Sequence, residues 1–391
     1  MNRFKIRSQE QIQVIKRLGV SYVFMYPAQS DVDPLPINWN KDEAVEESED
    51  QGLVDEETRK LWQEKQQRIE KLKAYRRRMV QCEKEFERSL ARMRAVMNKI
   101  RSRPKDAVDE AGQLVDDIVE QLMSDESVTL HLMNGKRELE DVYYHSLNVA
   151  VIAMMVAKAK NYTSAQIKEI AFGCLFHDMG KMKVPAAIVR KSTALTAPEE
   201  NYLKQHVKYG LDIAATIDDF PETARIITAQ HHEMMDGSGF PDGLKGDQID
   251  DYAQIVAVAN AFDGLCHNQV LAKQKIPYAA LSHLYKNCKH LYNVENLSIL
   301  VKFMGVFPPG SVVQLSNQMT GLVVSVNSKN LLNPNVMIYD PTVPRTEAPI
   351  VDLESKGLKI VNVVLPSKLP EEVKEYLNPR SRISYFFDSD D

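Results

Sequence analysis

The sequence predicts a mostly α-helical protein: one helical bundle, preceded by a small N-terminal α/β segment and a long linking helix, and followed by a small C-terminal β appendage. Three observations predict it. Residues 106–305 repeat apolar positions at helical spacing, with short turns and no strand alternation. Residues 58–103 hold apolar side chains three, four or seven apart throughout. From Pro308 the period changes to β-type runs, through Val312, Val313, Leu322, Val323, Val324, Val326, Val336 and Ile338, separated by Asn and Gly.

Within residues 1–35, Phe4 and Ile6 alternate with polar residues. Ile12, Ile15 and Leu18 then follow helical spacing, Gly19 ends that helix, and Val20 to Tyr26 reads as a strand. This regulatory segment is too small to bury a core alone and must pack on something else. Residues 36–57 form an acidic linker with little power to fold. In the long helix, Ile69, Leu72, Met79, Phe86, Leu90, Met93, Met97 and Ile100 make a near-heptad stripe that asks for a partner helix, in cis or in a homodimer. Arg76, Arg77 and Arg78 read as a solvated basic face, and Pro104 ends the helix. The β appendage and an acidic tail occupy residues 308–391.

The 391 residues, 44% hydrophobic and 26% charged, describe a folded chain of two or three units. A net charge of −5 offers no general attraction to nucleic acid, so no DNA partner is expected. An anionic ligand would be held by local cations, metals or helix N-termini. There is no run of 18 apolar residues to cross a membrane, and Met1 to Ser8 lacks a signal-peptide core. The four cysteines, Cys82, Cys174, Cys266 and Cys288, form no CxxC pair and read as reduced thiols of a cytoplasmic protein. Cys174 and Cys266 lie in apolar stretches and are expected in the core.

The chemistry sits in the histidines. His145 lies on an apolar helix four residues after Asp141, on the same face. His177-Asp178 ends a strongly apolar helix, His206 follows, and then the doublet His231-His232. One histidine on an apolar helix is usually a satisfied core residue. Five such histidines, with an HD and an HH doublet that packing does not need, point to a metal site, because buried His and Asp are costly unless paired or ligating. Imidazole and carboxylate without thiolate suit Fe, Mn, Zn, Ni or Co. Lys181, four residues after His177, is placed to hold a phosphate oxygen.

The runs HDMGK and HHEMMDGSGFPDGL resemble the HD-GYP family, a bacterial branch of the HD phosphohydrolases, over roughly residues 110–300. The opening segment resembles a small domain that often precedes such units. The resemblance implies an HD-type helical bundle holding two or three divalent metals, Fe or Mn first. Its metal ligands would be His145, His177, Asp178, His206, His231 and His232. Asp141 falls where three-metal members carry an acidic ligand, and Asn260 falls where the family places an aspartate. Asp178 and Lys181 would be catalytic. Lys181, Gly237, Gly239, Phe240, Pro241 and Gln269 would border the substrate. The implied reaction is hydrolysis of a cyclic dinucleotide, cyclic di-GMP first, to pGpG or GMP, with cyclic GMP-AMP as a relative.

The chain also departs from the family pattern. Asn260 replaces a carboxylate, Gln269 and Ala272 replace basic residues, and Phe240 replaces a tyrosine. These departures support a second reading, a degenerate domain that binds a cyclic dinucleotide or acts as a scaffold. Asp263, one turn beyond Asn260, is expected in a structural role. Glu233 is expected to orient the neighbouring histidines. His131, His267, His283 and His290 have no evident partner and are expected on the surface or in the core.

Overall fold

The computed structural model describes residues 56–124, 130–132, 141–270, 273–326, 332, 334–345, 348–378 and 385–387. The expectations for residues 1–35, for the linker up to residue 55 and for the acidic tail lie outside them. The chain divides into two compact units. In the first, Met1–Lys71 with Pro341–Glu347, the described residues are the start of a helix and a short turn. The second, Leu72–Asp340 with Ala348–Asp391, contains the helical bundle and the sheet.

Helix α1 runs Glu56–Lys99 and α2 runs Pro104–Ser124. Pro104 opens α2 at the helical position that tolerates a missing N–H, so the chain turns back there. The two helices are joined along their length by Gln121–Glu85, Arg92–Asp117 and Lys99–Glu110 contacts. Phe86, Met93, Val96, Met97 and Ile100 are buried in the main core with Leu114, Ile118 and Leu122 of α2. This half of the expected stripe is therefore satisfied within the chain. The side chains of Leu72 and Met79 lie outside the described residues.

A short strand, β1 (Leu130–Leu132), follows. It corrects the expectation of an entirely helical 106–305 region. It pairs antiparallel with β7 (Tyr385–Phe387), at the far end of the chain. Three residues are too few to show a period, and their partner is remote in sequence.

Helix α3 (Asp141–Ala159) is the bundle's central rod: Leu147 and Val149–Ala157 are all buried. A helix apolar on every side belongs inside a core. Val142–Ala159 is long and apolar enough to cross a bilayer by composition, and 72% of it is buried inside the protein. It packs against α4 (Ser164–Phe176), α9 (Asp251–Cys266) and α11 (Val294–Met304), and the bundle also holds α5 (Ala186–Val189), α6 (Ala197–Lys204), α7 (His206–Ala214), α8 (Glu222–Gln230) and α10 (Pro277–Asn287). Thr163 and Gln166 close a capping box at the start of α4, which fixes where that apolar helix begins. Cys174 and Cys266 are buried in the core, as their apolar surroundings require.

The expected β region holds five antiparallel strands in the order β5-β4-β3-β2-β6. They are β2 (Val312–Leu315), β3 (Thr320–Ser325), β4 (Asn335–Ile338), β5 (Ile350–Asp352) and β6 (Ile360–Val364). Alternation divides their side chains: Val313, Val323 and Val336 face one small core, and Val312, Leu322 and Met337 the other. The second core is closed by Leu377 of α12 (Glu371–Leu377), a helix the sequence reading did not foresee.

Candidate metal centre

Each of the five core histidines stands at or near a helix end or on the central rod. Apolar α4 runs to Phe176, His177 caps it, and Asp178 begins a tight 3-10 turn, Met179–Lys183. Gly180 in that turn touches α7: a Cβ there would lie 1.8 Å from the His206 carbonyl oxygen. Only glycine lets the turn sit against the first residue of α7. His231 caps α8 and His232 follows it.

The hydrogen bonds fix the tautomers. His177 Nδ1 donates to the Cys174 carbonyl at 2.7 Å, and His206 Nδ1 to the Leu203 carbonyl at 2.7 Å. His231 Nδ1 donates to the Thr228 carbonyl at 3.0 Å. Carbonyls only accept, so each Nδ1 carries the hydrogen and each neutral ring has a bare Nε2. His145 Nδ1 is 2.6 Å from the Asp263 carboxylate and has the same polarity.

All four Nε2 atoms turn to Asp178. Its Oδ2 lies 3.4 Å from His177 Nε2 and 3.5 Å from His145 Nε2. Its Oδ1 lies 3.3 Å from His206 Nε2 and 3.8 Å from His231 Nε2. The carboxylate therefore stands between two groups of donors: His145 and His177 on one oxygen, and His206, His231 and His232 near the other. Lys181 Nζ is 2.5 Å from Oδ2.

Without a cation this arrangement is unsatisfied. His177 Nε2 and Asp178 Oδ1 are buried and have no hydrogen-bond partner among the described residues. The bare Nε2 atoms of His206 and His231 face each other at 3.3 Å. Protons do not resolve this at neutral pH. Burial, opposed by Asp178, holds His177 and His206 down at about 4. Burial and His177 hold His231 at about 3. Burial would raise Asp178, but the Lys181 ammonium and the imidazoles outweigh it and keep the carboxyl ionised, well below its usual range. An anionic carboxylate ringed by neutral nitrogen lone pairs fits divalent metal ions.

Three members of the cluster, His145, His231 and His232, line a cavity of about 570 Å³, together with Lys181, Asn260 and Gln269. That size is within the usual range for small-molecule sites. Asn260 is half-buried and Gln269 exposed. Gly237, Gly239, Phe240 and Pro241 are not among the described lining residues. Phe240 instead stacks on His232, with ring centroids 4.5 Å apart and planes at 19°. It seats the His232 imidazole with its ring face, a contact that needs no hydroxyl. A Cβ on Gly239 would come within 2.4 Å of the Met234 nitrogen, so this loop must pass close to its own stem. Asp141 opens α3, and its side chain is outside the described residues, as is Ala272.

Two sequence readings need correction. Glu233 does not reach the histidines. Its buried carboxylate accepts the backbone N–H groups of Asp242 (2.8 Å), Gly243 (3.2 Å) and Leu244 (2.9 Å), and so anchors the end of the loop. His267 has a partner after all. Its Nδ1 is 2.9 Å from Asp263 Oδ1, the same carboxylate that holds His145. Asn148 Nδ2 donates to that oxygen at 2.9 Å. Asp263 is thus fully engaged, in keeping with the structural role expected for it, and is not positioned to stand in for the charge missing at Asn260. Nothing in the sequence pointed to Lys191, which lines the cavity; Lys273 stands close to the expected basic positions but out of register with them, and it lines the cavity too. Lys191 is paired with Glu199 at 2.6 Å.

A helical bundle with a His-Asp cluster of this kind defines an HD domain, and residues 117–295 match the family described as HD domain. The matched segment, a little under half of the chain, is thus similar to HD domains. Residues 1–111 match a domain of unknown function (DUF3391), across the opening segment, the linker and α1. The chain is 27% identical to a cyclic di-GMP phosphodiesterase of Pseudomonas aeruginosa over 268 residues, 67% of this chain and 64% of that protein. It is 34% identical to a 3'3'-cGAMP-specific phosphodiesterase of Vibrio cholerae over 122 residues, 31% of this chain and 23% of that protein. These matches thus span less than two-thirds of either relative's length. Among solved structures, an HDG"Y"P protein from Bdellovibrio bacteriovorus is similar at 19% identity and a TM-score of 0.43, over 55% of this chain and 69% of that one.

Proposed function

We propose that the chain is a metal-dependent phosphodiesterase that hydrolyses a cyclic dinucleotide, cyclic di-GMP first, to pGpG or GMP. One observation carries the reading: the two oxygens of buried Asp178 face two separate groups of bare imidazole nitrogens at the wall of a ligand-sized cavity. His145, His177 and Asp178 would hold one divalent ion, and Asp178, His206, His231 and His232 a second. Iron or manganese suits this donor set first, with zinc, nickel and cobalt also compatible. Such ions, when bound, supply Lewis acidity at a phosphodiester and lower the pKa of an attacking water.

The protein's own groups do the rest. The carbonyl-fixed tautomers keep each Nε2 aimed inward. Asp178 is anionic at all working pH and contributes the charge that holds cations together. Lys181 lines the cavity beside Asp178 and offers a cation to a non-bridging phosphate oxygen, where negative charge grows as the P–O bond to the sugar breaks. Lys273 adds a cation to the cavity wall, which suits an anionic ligand in a chain of net negative charge, while Lys191 is balanced by Glu199.

The test is product chromatography after incubation with cyclic di-GMP and, separately, 3'3'-cGAMP. Wild type should yield a linear dinucleotide or mononucleotide, and Asp178→Asn and Lys181→Ala should lose turnover. No hydrolysis of either by metal-replete wild type contradicts the reading. A second reading, a cyclic-dinucleotide-binding scaffold, is supported by neutral Asn260 and Gln269 in the cavity wall. It predicts binding without product.

A further inference from the structure

We propose that His267 is a positioning residue of the metal centre, acting through Asp263 on the ring and tautomer of His145. The inference rests on the metal-site reading above, and concerns a residue to which the sequence pattern assigns no role.

Asp263 is a carboxylate only 1% exposed. Its two oxygens are divided. Oδ2 faces His145 Nδ1 at 2.6 Å, while Oδ1 receives His267 Nδ1 at 2.9 Å and Asn148 Nδ2 at 2.9 Å. A buried carboxylate keeps its orientation only while its lone pairs are occupied. Two donors on Oδ1 hold the plane of the group so that Oδ2 stays on His145. With one donor left, rotation about the Cβ–Cγ bond is less restrained and the short contact to His145 loosens. That contact is what gives His145 a protonated Nδ1 and a bare Nε2, 3.5 Å from Asp178 Oδ2. A carboxylate behind a ligating imidazole also makes its Nε2 a stronger donor.

The ring of His267 is itself seated. It lies at the C-cap of α9, four residues after Asp263, and its backbone N–H bonds the Asp263 carbonyl at 2.8 Å. Tyr144 meets it edge-on at 6.3 Å, and Phe86 of α1 meets Tyr144 at 5.0 Å. His267 also lines the cavity with His145 and Lys181. A ligand pressing on the His267 ring would therefore bear on the same carboxylate that orients a metal-site imidazole.

The test uses His267→Ala and His267→Asn, because an asparagine amide can place an N–H near the Nδ1 position and alanine cannot. The first readout is the tautomer of His145 in metal-free protein, from long-range ¹H–¹⁵N spectra with ¹⁵N-labelled histidine. Wild type and His267→Asn should show a single Nδ1–H form, and His267→Ala a mixture. The second is the rate of metal loss to excess chelator from metal-loaded protein. His267→Ala should lose metal about tenfold faster, as second-sphere changes commonly do, with His267→Asn close to wild type. A single Nδ1–H form in His267→Ala, or unchanged metal loss, overturns the proposal, as does His267→Asn behaving like alanine. If wild type holds no metal, the metal-site reading fails, and the tautomer measurement alone still decides the role of His267.

Discussion

Replacing Gly180 by alanine should dismantle one half of the proposed metal centre while leaving the fold in place. The added Cβ would sit 1.8 Å from the His206 carbonyl oxygen and 2.5 Å from the Gly210 nitrogen, both backbone atoms of α7. A tolerable contact needs about 3.0 Å, so α7 must withdraw by roughly 1.2 Å. His206 is the first residue of α7 and goes with it. Its Nε2 stands 3.3 Å from both Asp178 Oδ1 and His231 Nε2. Metal–ligand distances tolerate errors of only about 0.2 Å. The displacement is several times that, so the His206–His231–His232 side should lose its ion. The His145–His177 side, carried by α3 and α4, should keep one. Overpacking of this kind costs about 1–3 kcal/mol. At roughly 2–4 °C per kcal/mol for a domain of this size, Tm should fall by about 2–12 °C. Metal analysis by mass spectrometry, scanning calorimetry and circular dichroism on both proteins would measure this. A Gly180→Ala protein with the wild-type metal complement and Tm would refute the reasoning.

Three further outcomes follow from the site. In metal-free protein, His177, His206 and His231 titrate at about 4, 4 and 3, against 6.5 for a free imidazole. The unfolded chain therefore takes up protons first as pH falls. Stability should decline from about pH 6.5 down to about pH 4 for His177 and His206 and about pH 3 for His231, by up to roughly 1.4 kcal/mol per pH unit for each ring; denaturant midpoints at pH 7.5 and 5 check it, and a flat profile contradicts it. Glu233→Gln should leave one backbone N–H of residues 242–244 facing an amide N–H, cost about 1–3 kcal/mol and raise hydrogen exchange in that loop; unchanged exchange there would contradict the anchoring role. Asn260→Asp should raise metal occupancy and cyclic di-GMP hydrolysis together, because it adds an anion to the cavity wall. If metal content does not change, Asn260 is not a ligand position; if metal rises and no product forms, the scaffold reading is the better one.

The sequence carried what is local. The apolar helices, the doublets that end them, the near-heptad of α1 and the change of period after Pro308 are all patterns within a few residues, and each names an element or a cluster of donors. What it could not carry is the meeting of remote residues. His145 and Asp263 are 118 positions apart, and only the packing of α3 on α9 brings them to 2.6 Å. His267 looked unpartnered because its partner acquires meaning only through that contact. Glu233 beside two histidines suggested orientation of its neighbours, yet its carboxylate turns to backbone nine to eleven residues ahead. Strand β1 fell inside an otherwise helical region because its pairing with Tyr385–Phe387 leaves no trace in three residues. The heptad of α1 correctly asked for a partner, and for Phe86 and Met93 that partner is this chain's own core.

The central claim is that Asp178 holds two groups of imidazoles around two divalent ions. Metal stoichiometry per chain in protein purified without chelator tests it most directly, alongside Asp178→Ala. At least two ions per chain in wild type, with both lost in Asp178→Ala, is the predicted result, because the carboxylate serves both groups. Wild-type protein without metal, or an Asp178→Ala protein that retains its full complement, would contradict the account.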